Sequence, residues 1–77
     1  MKKIKLTKIK ELENALHPNN IPVNNEYIGY MVEEPKIGFR FNVSGDNPIS
    51  TSGVQEVLEN NTFKTWSSIY KIEYLND

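Results

Sequence analysis

Apolar positions in this chain follow two different periods, and the change falls near residue 26. In the first part Ile9, Leu12 and Leu16 stand at i, i+3 and i+7, the spacing of one helical face. Thr7 suits an N-cap, and Pro18 stops a helix because the residue before proline avoids the α region. The pattern predicts a short helix over 7–17, although Lys8 and Lys10 oppose the helix dipole at its start. Residues 1–6 read as a basic arm, with Ile4 and Leu6 alternating as in a short strand. Proline and asparagine crowd residues 18–26, a loop composition.

Beyond residue 26 the period is two. Strands are predicted at Tyr27–Val32, Lys36–Val43, Ile49–Leu58, Thr62–Trp66 and Ile69–Leu75. In the second of these, Ile37, Phe39, Phe41 and Val43 alternate with Lys36, Gly38, Arg40 and Asn42. Turns are expected at Glu33–Pro35, at Ser44–Pro48, at Asn60-Asn61, where asparagine tolerates positive φ, and at Ser67-Ser68. Gly53 marks a bulge or break. The expected fold is α+β: a short N-terminal helix, then a five-stranded antiparallel meander over 27–75. Such a meander stays a curled sheet or closes into a small, partly open SH3-like barrel.

A two-residue turn at Ser67-Ser68 sets Trp66 opposite Ile69, Lys64 opposite Lys71 and Phe63 opposite Ile72. One face then collects Phe63, Tyr70, Ile72 and Tyr74. The other collects Lys64, Trp66, Ile69 and Lys71, with Arg40 on the neighbouring surface. The Asn60-Asn61 hairpin read in the same way adds Leu58 to the first face and Gln55 and Val57 to the second. It also leaves Glu56 on the apolar face unless a bulge near Gly53 shifts the register. The second face has three readings. The plain one covers Trp66, Ile69 and Val57 with the Ile9–Leu12–Leu16 stripe, the lysine heads reaching past its rim. The others make Arg40, Lys64, Trp66 and Lys71 a ligand surface, since cations beside an aromatic ring suit a phosphate or a stacked base, or a protein interface.

At 77 residues, 38% of them hydrophobic and 25% charged, the chain is one small globular domain. A domain of this size buries only about 60% of its unfolded surface, so a second copy or a partner would help it. The absence of cysteine rules out disulfides, thiolate zinc sites and a cysteine nucleophile. A single histidine, His17, rules out a multi-histidine metal site in one chain. The basic start has no apolar signal region behind it and no apolar run reaches spanning length, so the expectation is a cytoplasmic protein without a membrane partner. Asn42-Val43-Ser44 and Asn60-Asn61-Thr62 match the glycosylation pattern, which carries little weight without secretion.

The net charge of −1 conceals an asymmetry. Lys2, Lys3, Lys5, Lys8 and Lys10 precede every acid; the other four cations share the remainder with all ten acids, a net of −6 there. The basic start either contacts an acidic or nucleic-acid partner or neutralises the acidic body. Abundant Asn and Ile, Lys in excess of Arg and a single Ala suit an AT-rich coding genome.

No constellation for catalysis stands out. There is no phosphate-binding glycine loop, nucleophile elbow or metal-binding helix motif. Glu33-Glu34 reads as a solvated turn, His17 as a structural residue, and the Thr51-Ser52 and Ser67-Ser68 hydroxyls lack a base nearby in sequence. No enzyme activity, cofactor or metal is expected.

Several short motifs carry a resemblance. They are Glu34-Pro35-Lys36-Ile37-Gly38, Thr51-Ser52-Gly53-Val54, Thr62-Phe63-Lys64-Thr65 and Ser68-Ile69-Tyr70. About two-thirds of the chain resembles a group of small uncharacterised proteins of phages and of low-GC or Bacteroides-type bacteria. Their shared pattern is P-x-x-G … T-S-x-V … F-x-T-x-x-S-x-Y. The resemblance implies an accessory gene of a phage or mobile element and no residue roles. The leading expectation is a non-enzymatic accessory protein in the host cytoplasm, acting by binding and modulating or inhibiting a host factor such as a defence system. Its partner is a host protein or a second copy of itself. The alternatives are a nucleotide or nucleic-acid binding module and a structural oligomer.

Overall fold

The computed structural model describes residues 2–12 and 23–75. Six strands follow one another: β1 (Lys2–Glu11), β2 (Glu26–Met31), β3 (Arg40–Ser44), β4 (Ile49–Val57), β5 (Thr62–Thr65) and β6 (Ser68–Tyr74). Every neighbour pair is antiparallel, and β1 also pairs with β6, closing the sheet into a barrel.

This corrects the expected fold class. The described residues hold no helix, and the fold is all-β rather than α+β. Thr7–Glu11, expected as the start of a helix, continue β1, and residues 13–17 lie outside the described residues. The expected basic arm is the first half of the same strand. With β1 in place the sheet has six strands and is closed, so neither a five-stranded curled sheet nor a partly open SH3-like barrel describes it.

The interior follows from strand alternation. Ile4 and Leu6 of β1, Met31 of β2, Phe41 and Val43 of β3, Val54 of β4, Phe63 of β5, and Tyr70 and Ile72 of β6 point inward and are buried. Phe63 joins the two sides of this core, its ring 4.8 Å from Phe41 and 5.4 Å from Tyr70 between centroids. Ile37 and Phe39, expected to continue the inward row of β3, lie outside it and are 62% and 58% exposed. A turn intervenes: Phe39 donates to the Lys36 carbonyl at 3.1 Å, and Gly38 takes φ +91°, which suits the third residue of a type II turn.

Bulges at three places reset which residues face inward. In β1 the register shifts between Lys8 and Lys10, leaving Ile9 as the extra residue. Lys8 and Glu11, which a regular strand would point to opposite faces, therefore share the inner face. Lys8 is fully buried, its ammonium 2.7 Å from Glu11 Oε2. In β4 one shift sets Thr51 and Ser52 against Phe41, and a second leaves Gln55 extra. Thr51 and Val54 thus both point inward, and Gly53 and Glu56 point outward. The bulge beyond Gly53 removes Glu56 from the apolar face; it stands exposed, opposite Lys64.

The pairing is thinnest between β2 and β3, where only Tyr30–Ser44 and Met31–Val43 are in register. Here the two backbones approach closely at Gly29. A Cβ on Gly29 would lie 2.4 Å from the Ser44 carbonyl oxygen and 2.7 Å from Val43 Cγ1. The first obstacle is backbone, so the strands would have to part. Gly29→Ala is therefore expected to cost about 1–3 kcal/mol, the range for overfilling a packed interior. At Gly53 a Cβ meets nothing closer than 3.6 Å, and Gly53→Ala should shift stability far less. Urea melts of the two variants check this, and an unchanged midpoint for Gly29→Ala would contradict the close approach.

Candidate functional site

The outer surface of β3–β6 carries the residues of interest, and the turn between β5 and β6 positions the most prominent. Phe63 pairs with Tyr70 and Lys64 with Ile69, two residues away from the register expected. A shift of two preserves the faces, so Phe63, Tyr70 and Ile72 are inward and Lys64, Ile69 and Lys71 outward, as expected. Tyr74, placed on the apolar face by the same reasoning, is 40% exposed at the strand end. The shift makes Trp66 and Ser67, not Ser67 and Ser68, the two turn residues. Thr65 holds this turn together: its hydroxyl accepts from the Ser67 and Ser68 amides at 3.3 and 3.1 Å and donates to the Ser68 carbonyl at 3.2 Å. Ser67 turns inward, its hydroxyl 3.3 Å from that of Ser52, and Trp66 turns out.

Trp66 is 54% exposed, so among the described residues no helical stripe covers it, and Leu16 of the expected stripe lies outside them. Its indole rests over Gly53: a Cβ at that glycine would lie 3.6 Å from both Cδ1 and Nε1. Gly53 is the direct cross-strand partner of Arg40. Lys64 precedes Trp66 by two residues on the same outer face. Arg40, Trp66 and Lys64 are thus brought together around Gly53. Lys71 is not opposite Lys64. It pairs with Thr62 and Thr7, which puts it diagonal to Lys64 on the outer face and near Glu73. Among the described residues none of Arg40, Lys64 and Lys71 forms an ion pair.

Two neighbours escaped the sequence reading. Phe39 stands exposed next to Arg40, and the Lys36 ammonium lies 4.9 Å from its ring centroid. Phe39 and Arg40, with Val32, Glu33 and Asn42, line a shallow depression of about 230 Å³. The available signal was the Pro35-Lys36-Ile37-Gly38 segment, whose glycine makes a turn and so removes Phe39 from the buried row.

The opposite side of the barrel is electrostatically different. Lys5 bridges Glu73 at 2.8 Å and Glu26 at 3.3 Å, and Lys2 lies 5.3 Å from the Tyr74 ring centroid. These cations of the basic start are occupied by the barrel's own acids and rings. Ile28 and Tyr30 are exposed on β2 and stand directly opposite Lys5 and Lys3.

The interior polar end is self-satisfied. Ser68 donates to Ser67, Ser67 meets Ser52, and Thr51 accepts from the Phe41 amide and donates to the Ser52 carbonyl. No buried side-chain nitrogen or oxygen among the described residues lacks a partner. No group of three metal-binding side chains occurs among them either, and His17 lies outside them. No helix among them is long and apolar enough to cross a membrane.

The Lys5 bridge makes stability depend on pH. Hydrogen bonding and the charge of Lys5 hold the Glu73 carboxyl below its ordinary value. Glu73 and then Glu26 raise the Lys5 ammonium above its own. A lowered carboxyl contributes stability above its unfolded pKa and loses it as pH falls through the folded value. A raised ammonium contributes below its unfolded pKa and loses it as pH rises through the folded one. Lys5→Met should therefore melt below the natural chain at neutral pH, and the gap should shrink as pH falls through the lowered Glu73 value and narrow in about 1 M salt. Melting scans test this; a gap of equal size in acid and at neutral pH contradicts the bridge.

No family model, curated protein or solved structure matches this chain.

Proposed function

We propose that this chain is a non-catalytic binding module whose contact surface is the outer face around Gly53. The supporting observation is the exposed Trp66 lying over Gly53 beside Arg40 and Lys64, neither cation in an ion pair among the described residues. Exposing a large ring costs a small domain burial it needs, and binding recovers that burial. The biological role proposed is that of an accessory protein of a phage or mobile element, modulating a host factor through this face. The motif resemblance to small phage and low-GC bacterial proteins supports that context.

The test uses the immobilised full chain and a double variant, Trp66→Ser with Arg40→Ala. Both side chains are exposed, so the melting temperature should barely move. The natural chain should retain a component of a host extract, protein or nucleic acid, and the variant should lose at least tenfold of it. Equal retention by a variant of unchanged melting would overturn this choice of face.

A further inference from the structure

We infer that the ligand of this face is a single-stranded nucleic acid, bound across β3–β5 with bases on Trp66 and Phe39 and phosphates on Arg40, Lys64 and Lys36. The inference rests on the binding reading above and names the class of ligand.

The backbone pairing places the two exposed rings two strands apart. Phe39 precedes Arg40, Arg40 opposes Gly53, and Gly53 lies beneath Trp66. Two strand spacings are about 10 Å, a reach that neighbouring unstacked nucleotides span. Rings offered this way bind any base, because every base has a flat π-face, and such stacking tolerates sequence. Cations interleave with the rings as a phosphate backbone requires. Lys36 sits over Phe39, Arg40 follows Phe39 and pairs with the Gly53 beneath Trp66, and Lys64 precedes Trp66 by two residues. Two carboxylates border the path: Glu56, directly opposite Lys64, and Glu33, which lines the depression with Phe39 and Arg40.

The surroundings argue against a folded protein as the primary occupant. A protein interface needs an apolar centre, and Trp66 has Gly53, Gln55 and Lys64 about it instead. A duplex fits poorly as well. Its bases are stacked away from aromatic side chains, and among the described residues the face presents no helix to enter a groove.

The experiment is anisotropy of a labelled oligothymidine of about 12 nucleotides, within the site size of small barrels of this kind. A duplex of the same length is run in parallel, each at salt between about 50 and 200 mM. The single strand should bind more tightly than the duplex and quench Trp66. With three phosphates neutralised, the slope of log K against log salt should be about −2, and Arg40→Ala with Lys64→Ala should remove more than half of it. Trp66→Ser should weaken binding by about 5- to 150-fold, the loss of one stacked base. Glu56→Gln should strengthen it by about two- to fivefold, a gain that misfolding cannot imitate. No binding at the lowest salt, or duplex binding that ignores Trp66, overturns the inference. If the chain then still captures a host protein through Trp66, the ligand class is wrong and the face is right; if it captures nothing through Trp66, both fall.

Discussion

Pairing of the first strand on both of its edges is the interaction on which this molecule depends. β1 is bonded to β2 along one edge and to β6 along the other, and only that double pairing turns five sequential hairpin partners into a closed ring. Closure matters more in a chain of 77 residues than in a large one, because it removes the sheet's two free edges and encloses a core that an open sheet would leave half wet. It also divides labour between the surfaces. Ile4, Leu6, Phe41, Phe63, Tyr70 and Ile72 fill the inside, and the inner polar groups at one end satisfy one another. An aromatic ring left outside such a barrel contributes nothing to the core, and this is why Trp66 and Phe39 draw the functional argument.

The irregularities of the sheet, rather than its regular parts, build the outer face. Two bulges in β4 flank Gly53 and turn it outward, where a regular strand would have pointed it in. Without a side chain it forms a bed for the indole. The Thr65 hydroxyl closes the turn that throws Trp66 outward and Ser67 inward. Site and scaffold therefore share their determinants: the residues that shape the backbone are the ones that present the ring.

This also explains what could be read from the sequence. Strands β2, β4, β5 and β6 lie within one residue of the expected ranges, because they are rich in strand-forming residues and their turns are made of Asn, Gly, Pro and Ser. The inner and outer faces of β5 and β6 were legible despite a register shifted by two, since an even shift keeps parity. β1 was not legible as a strand. Its third inward position is occupied by Lys8, and the bulge at Ile9 converts a period of two into a spacing that imitates a helix. The same bulge brings Glu11 to the inner face, where it pairs with the lysine. Ile37 and Phe39 misled in the opposite sense, continuing the alternation of β3 into a turn. Closure itself joins the two ends of the chain, and no local pattern encodes it. Of the candidate site, Arg40, Lys64 and Trp66 were visible as a group; Phe39, Lys36 and the outward turn of Gly53 required the backbone.

The central claim is that the face around Gly53 is the contact surface and that single-stranded nucleic acid occupies it. The most direct test is a residue-resolved titration of the isotope-labelled full chain with a short oligothymidine, followed by amide and indole NMR signals. The account predicts that the Trp66 indole moves most, together with the amides of Phe39, Arg40, Gly53 and Lys64, and that added salt reverses the changes. Shifts centred instead on the Lys5–Ile28 side of the barrel, or none at all, would contradict it.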